Sequence, residues 1–162
     1  MNQNDRKITI VLDRLRSAYN TGNIFRIADA VGASEIITCG YTPSPPHQKL
    51  AKTAMGAENY VKYRHLETSV EAVIKLKEEG YREILSVESG CAGKYPWEHQ
   101  FKFPLALIFG NEALGIDPVT LKHCDGNIFL PMLGEKTSIN VGNCAATVLY
   151  FVLSSIISKK NI

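Results

Sequence analysis

Apolar residues along this chain alternate between short continuous runs and helical spacings, from one end to the other. Ile8 to Leu12 reads as a first buried strand. After a short basic loop, Ile24, Ile27, Ala28 and Val31 recur at i, i+3, i+4 and i+7. That spacing predicts an amphipathic helix ending near Gly32. Glu35 to Cys39 is the next strand, closed by Gly40, and the prolines at 43, 45 and 46 make a stiff loop. A short helix over Gln48 to Met55 follows, then Gly56 and a brief strand at Tyr60 to Tyr63.

In the second half, Thr68-x-x-Glu71 is a capping-box signature, with Val70, Val73 and Ile74 as the apolar stripe of a helix stopping before Gly80. Ile84 to Val87 and Leu105 to Phe109 are continuously apolar, as strands covered on both faces are. Between them residues 88–104 are irregular and hold the single tryptophan, Trp97. Asp117 and Pro118 open a helix as N-cap and first residue. Asn127 to Leu130 is a last strand, and Ser138 caps a final helix running to about Ser158.

Strands alternating with helices predict an α/β fold, a parallel sheet with helices on both faces. The final helix is unusual, because Cys144 to Leu153 is apolar nearly all the way round. Such a helix is not half-exposed in a monomer. A homodimer interface is the preferred reading, with interior burial the alternative.

At 162 residues the chain is read as one domain over 1–162. No signal-peptide region opens it and no uninterrupted apolar run reaches membrane-spanning length, which predicts a cytoplasmic protein without a membrane partner. Cys39, Cys91, Cys124 and Cys144 are scattered, and His47, His65, His99 and His123 show no ligand spacing. Reduced cysteines and no metal are expected. Net charge is only +2, yet from Arg6 to Arg64 nine Lys or Arg face four acids. A local excess of that kind can hold a phosphate backbone.

Candidate chemistry sits where turn formers meet element boundaries. Three stretches stand out: Asn20 to Arg26 (NTGNIFR), Phe109 to Gly115 (FGNEALG) and Leu130 to Val141 (LPMLGEKTSINV). Gly110 and Gly115 bracket a loop after a buried strand, where glycine permits close backbone approach to a ligand. An apolar wall at Leu130, Pro131 and Met132 with nearby hydroxyls suits a purine nucleoside. There is no G-x-G-x-x-G and no G-x-x-x-x-G-K-[ST], which weighs against a dinucleotide or triphosphate. Asn20, Gly22 and Asn23 are read as leading into a helix whose amides could hold a phosphate. An ion pair from Arg26 to Asp29 is the plain structural role for that arginine.

In order and wording these stretches resemble the three motifs of the SpoU family of RNA ribose 2′-O-methyltransferases, of the SPOUT class, from about Ile8 to Ile157. The resemblance implies a C-terminal deep trefoil knot, which no strand pattern can show. It implies S-adenosylmethionine as methyl donor, held at Val87, Gly110, Leu130, Met132, Ser138 and Ile139, with Glu88 beside them. It makes Arg26 the catalytic arginine, with Asn20, Glu112, Ser138 and Asn140 completing the set. Arg26 is either a general base or a bidentate phosphate clamp, and a guanidinium parts with its proton reluctantly. Many relatives carry a glutamate in the last helix where this chain has Tyr150 and Phe151. The implied partner is RNA, tRNA preferred and ribosomal RNA the alternative. A non-catalytic RNA-binding dimer and a base methyltransferase are the competing readings.

Overall fold

The computed structural model describes residues 6–158. Six strands, β1 (Ile8–Asp13), β2 (Glu35–Cys39), β3 (Tyr63–Leu66), β4 (Glu83–Val87), β5 (Leu105–Gly110) and β6 (Gly126–Ile128), form one sheet in the order β3-β2-β1-β5-β4-β6. Every pairing is parallel. The helices are α1 (Ala18–Val31), α2 (Gln48–Ala54), α3 (Ser69–Glu78), α4 (Pro118–His123) and α5 (Val141–Ser158), with a 3₁₀ turn at Ala57–Asn59.

Side-chain alternation along the strands sorts the core into two layers. Ile8, Ile10 and Leu12 of β1, with Leu105, Leu107 and Phe109 of β5, face α1, α2 and α5. Val11, Ala106 and Ile108 point the other way, against α3 and the apolar side of α4. Both faces of the sheet are thus covered, as the continuous apolar runs require.

Several boundaries differ from the sequence reading. Helix α1 starts six residues before Ile24: Ser17 is its N-cap, its side chain accepting from Asn20 N–H, and Gly32 ends it at φ 68°. Asn20, Gly22 and Asn23 therefore lie inside the helix. Gly22 is there because α2 crosses against it, and a Cβ would overlap Leu50 O and Thr53 Oγ1. The third strand is Tyr63–Leu66, not Tyr60–Tyr63; it is an edge strand of mixed exposure, and Tyr60 is exposed. In α3 the capping hydroxyl of Thr68 accepts from Glu71 N–H, but the buried stripe is Ser69, Ala72, Val73 and Leu76, with Ile74 exposed. β6 ends two residues earlier than expected, at Ile128.

The segment leaving β4 turns back along the outer edge of β6. Lys94 N–H donates to Asn127 O and Phe129 N–H donates to Lys94 O, so β6 is bonded on both edges. Tyr95 stacks on Trp97 with ring centroids 4.9 Å apart, and these rings meet Phe129 and Phe151. α5 then returns from the sheet edge to lie on α1. It buries Val141, Ala145, Val148, Leu149 and Val152 and leaves Tyr150 and Ile157 exposed. Interior burial of the whole helix is thereby overturned. By length and apolar composition α5 is also the single described helix able to span a bilayer, although its buried face belongs to the core.

Candidate active site

A cavity of about 770 Å³ opens at the C-terminal ends of β4, β5 and β6. Ligands in open parallel sheets bind outside these strand ends, where loops converge. Its walls include Val87, Phe109, Gly110, Leu130, Met132, Ser138, Ile139 and Cys144. All six positions expected to hold the methyl donor line this one cavity. So do Asn20, Glu112 and Asn140. Arg26 does not line it.

The loop after β5 is folded by its own chemistry. Asn111 Oδ1 accepts from Ala113 and Leu114 N–H, both at 2.8 Å, an Asx turn. Asn111 Nδ2 donates to Arg14 O at 2.7 Å and to Tyr41 Oη at 2.9 Å, anchoring the turn to the ends of β1 and β2. The loop then folds back on Gly110, where a Cβ would overlap Gly115 and Ile116. Gly115 has φ 71°, and a Cβ there would lie 2.6 Å from Glu88 Oε2, which accepts from Ile116 N–H at 2.9 Å. Glu88 is therefore a brace between two loops as well as a cavity wall. Neither Asn111 nor this brace was identified from sequence; an Asn wedged between a strand-ending Gly and Glu112 is the signal for such a turn.

Glu112 itself is exposed, yet its carboxylate collects three donors: Arg16 N–H at 3.0 Å, Ser17 N–H at 3.2 Å and Asn20 Nδ2 at 3.0 Å. Burial opposes its ionisation, but these bonds outweigh it and hold the carboxyl below its usual range. An ionised Glu112 fixes the Asn20 amide, nitrogen toward the carboxylate and oxygen away. That oxygen accepts from Asn140 Nδ2 at 3.0 Å. Asn140 Oδ1 in turn accepts from Gly142 and Asn143 N–H at 2.9 and 3.2 Å. Asn140, not Ser138, thus caps α5; Ser138 is exposed two residues earlier, lining the cavity with its hydroxyl unpaired among the described residues.

Each asparagine amide keeps one N–H uncommitted within the described residues, two donors on neighbouring groups. The anion site expected from Asn20 to Asn23 is not there: Asn20 N–H is taken by the capping hydroxyl of Ser17 at 3.2 Å, and Gly22 and Asn23 lie past the first turn. Arg26 is exposed near the middle of α1, and no ion pair to Asp29 forms. Cys144 is pushed up to about 11 by burial and by Glu88, so it is a neutral part of the wall. No group of three His, Cys, Asp or Glu among the described residues is placed to hold a metal.

Residues 7–150 match the sequence profile of the SpoU rRNA methylase family. The chain belongs to the SpoU rRNA methylase family. A putative TrmH family tRNA/rRNA methyltransferase of Staphylococcus haemolyticus is 30% identical over 88% of the chain. The tRNA (guanosine(18)-2′-O)-methyltransferase of Escherichia coli K12 is 29% identical over the same share. The chain spans 57% and 61% of the lengths of these two relatives. Among solved structures, the SpoU methyltransferase AviRb of Streptomyces viridochromogenes, in complex with AdoMet, superposes with TM-score 0.86 at 25% identity. That likeness covers 95% of this chain and 59% of AviRb. The parallel six-stranded sheet is therefore a SpoU fold.

Proposed function

We propose that this SpoU chain transfers a methyl group from S-adenosylmethionine to a ribose 2′-hydroxyl of RNA, with tRNA preferred and ribosomal RNA the alternative. The observation that carries the reading is one cavity shared by the apolar strand-end wall and the Glu112–Asn20–Asn140 chain of hydrogen bonds. The E. coli relative's ribose activity and the AdoMet complex of AviRb support it.

The cavity fits the methyl donor in size and lining, within the range for ligands of that class. Val87, Leu130, Met132 and Ile139 would hold its apolar surface, with Gly110 and Ser138 offering backbone and hydroxyl. When bound, the donor supplies an electrophilic methyl carbon on a sulfonium. The chain's own task is alignment and proton management. Glu112, kept ionised, is a fixed acceptor that orients Asn20. The spare N–H groups of Asn20 and Asn140 hold a substrate oxygen. Arg26 clamps a backbone phosphate bidentately, the hydroxyl proton leaving to phosphate or water.

Two architectural expectations belong to this reading. Residues 88–104 run round the outer edge of β6, which supports a trefoil knot with the chain beyond Leu130 drawn through that loop. The exposed Tyr150 and Ile157 on α5 support a homodimer, and a monomeric mass at working concentration contradicts it. One observation favours the non-catalytic RNA-binding alternative: Arg26 stands outside the cavity.

The test is methyl transfer from labelled S-adenosylmethionine to total RNA from cells lacking the gene. Label entering RNA, and lost with Arg26→Ala while donor affinity is retained, is the expected result. No label despite measured donor binding overturns the enzyme reading in favour of the binder.

A further inference from the structure

A second, smaller pocket of about 360 Å³ lies away from the first, between the proline loop, α2 and the start of β3. Its lining includes Pro45, Pro46, His47, Gln48, Glu58 and Tyr63. Two flat rings and two prolines give surfaces on which a base can stack, and the amide and carboxylate give edge contacts. The volume suits one nucleoside and little more.

Charge chooses the occupant. Lys49, Lys52 and Lys62 are sequence neighbours of the lining residues Gln48, Ala51 and Tyr63, are exposed and form no ion pair among the described residues. On α2, Lys52 is one turn from the lining residue Gln48 and so shares its face. By contrast Arg14 and Arg64, from the same basic half, are already paired with Asp13 and with Glu35 and Glu79. Unpaired lysines next to the lining residues of an aromatic pocket, Lys52 on the same helix face, suit a polyanion with planar groups, not a proline-rich peptide.

Glu58 lines the pocket, and its Oε2, turned away from solvent, has no hydrogen-bond partner among the described residues, so the carboxylate gains by rotating toward a donor placed in the pocket. A carboxylate oxygen left so is costly and calls for a donor. A base edge carrying adjacent N–H groups, guanine above all, supplies one. The pocket is also tied to the active site: Thr53 of α2 donates to Tyr19 O at 2.7 Å, next to Asn20. The whole of α2 is about 10 Å long.

We propose that this pocket is a base-binding subsite for a nucleotide of the RNA other than the one methylated, with Lys52 and Lys62 on its phosphates and Glu58 on its base edge. It rests on the reading of the chain as acting on RNA.

The test measures equilibrium binding of fluorescent total tRNA and of ribosomal RNA fragments at several salt concentrations. Wild type is compared with Ala51→Trp, Lys52→Ala and Glu58→Gln, and S-adenosylmethionine affinity is measured for each. Ala51 is exposed on the pocket wall, so its replacement by tryptophan fills the space without touching the core. Ala51→Trp and Glu58→Gln should each weaken RNA at least about fivefold with donor affinity unchanged. Lys52→Ala should lower the slope of log affinity against log salt by about 1. RNA binding equal to wild type in Ala51→Trp and Glu58→Gln overturns the subsite. Binding without methyl transfer by wild type sinks the methyltransferase reading alone, and the subsite comparison still stands.

Discussion

Asn140 Nδ2 donates to Asn20 Oδ1 at 3.0 Å, joining the cap of the last helix to the first turn of the first across 120 positions. Neither amide is free to flip. The carboxylate of Glu112 holds one end of the pair, and the opening amides of α5 hold the other. Two asparagines are thereby set with defined donors beside one cavity. Asn20→Ala and Asn140→Ala should each lower kcat about tenfold or more, with donor affinity nearly unchanged. The double variant should lose less than the product of the two, and strict additivity in this cycle contradicts coupling through the bond.

Glu112 is the acidic anchor of that pair. Its pKa is lower folded than unfolded, so its contribution is complete above the ordinary value of about 4.3 and fades as pH falls through the folded value. The pH profile between about 6 and 9 should thus show no Glu112 limb. Glu112→Gln puts an NH₂ against donors and should cut kcat roughly tenfold at every pH in that range. A Glu112→Gln enzyme with wild-type kcat would dismiss its orienting role.

Two glycines separate stability from activity. In Gly22→Ala the new methyl overlaps the α2 backbone at Leu50 O and the Thr53 hydroxyl, forcing α1 and α2 apart. A loss of about 1–3 kcal/mol should appear in urea unfolding. In Gly142→Ala the methyl lies 2.5 Å from Asn23 Nδ2 and 3.1 Å from Asn140 Oδ1. Here kcat should fall by a larger factor than the stability loss explains, because the methyl displaces the Asn23 amide and also crowds the Asn140 cap. Equal kinetics in the two variants contradicts that distinction.

The thiols report on cavity occupancy. Burial pushes Cys39 up to about 12 and Cys124 and Cys144 up to about 11, so all three should alkylate slowly at pH 8. Cys91 and Cys144 line the large cavity. Saturating S-adenosylmethionine should slow their modification further and leave Cys124 unaffected, as read by peptide mass spectrometry. Unchanged rates at both cavity thiols place the donor elsewhere.

How far the sequence could be read depended on how one-sided each signal was. Ile8 to Leu12, Glu35 to Cys39 and Leu105 to Phe109 were legible because strands covered on both faces leave runs that are apolar or β-branched nearly throughout. The start of α1 was not, since Asn20, Gly22 and Asn23 are turn formers by propensity. Gly22 is kept for helix approach, and Asn20 for the bond to Glu112, so tertiary demands override local preference. The edge strand β3 gave too weak an alternation to place. Ser138 and Asn140 are both good caps two residues apart, and only the bonds to Gly142 and Asn143 decide between them. The meeting of Asn20, Glu112 and Asn140 was legible only through the family resemblance, because contacts across such separations leave no local pattern. Arg26 was legible as a surface residue, since it falls off the stripe of Ile24, Ile27, Ala28 and Val31, but its place outside the cavity was not legible from the motif.

The central claim is that the acceptor is a ribose oxygen, and alkali decides it. RNA labelled by this protein from S-adenosylmethionine is hydrolysed in base, which cleaves every linkage that has a free 2′-hydroxyl. Label recovered in alkali-stable dinucleotides is the predicted result. Label recovered wholly in mononucleotides, on the base, contradicts it.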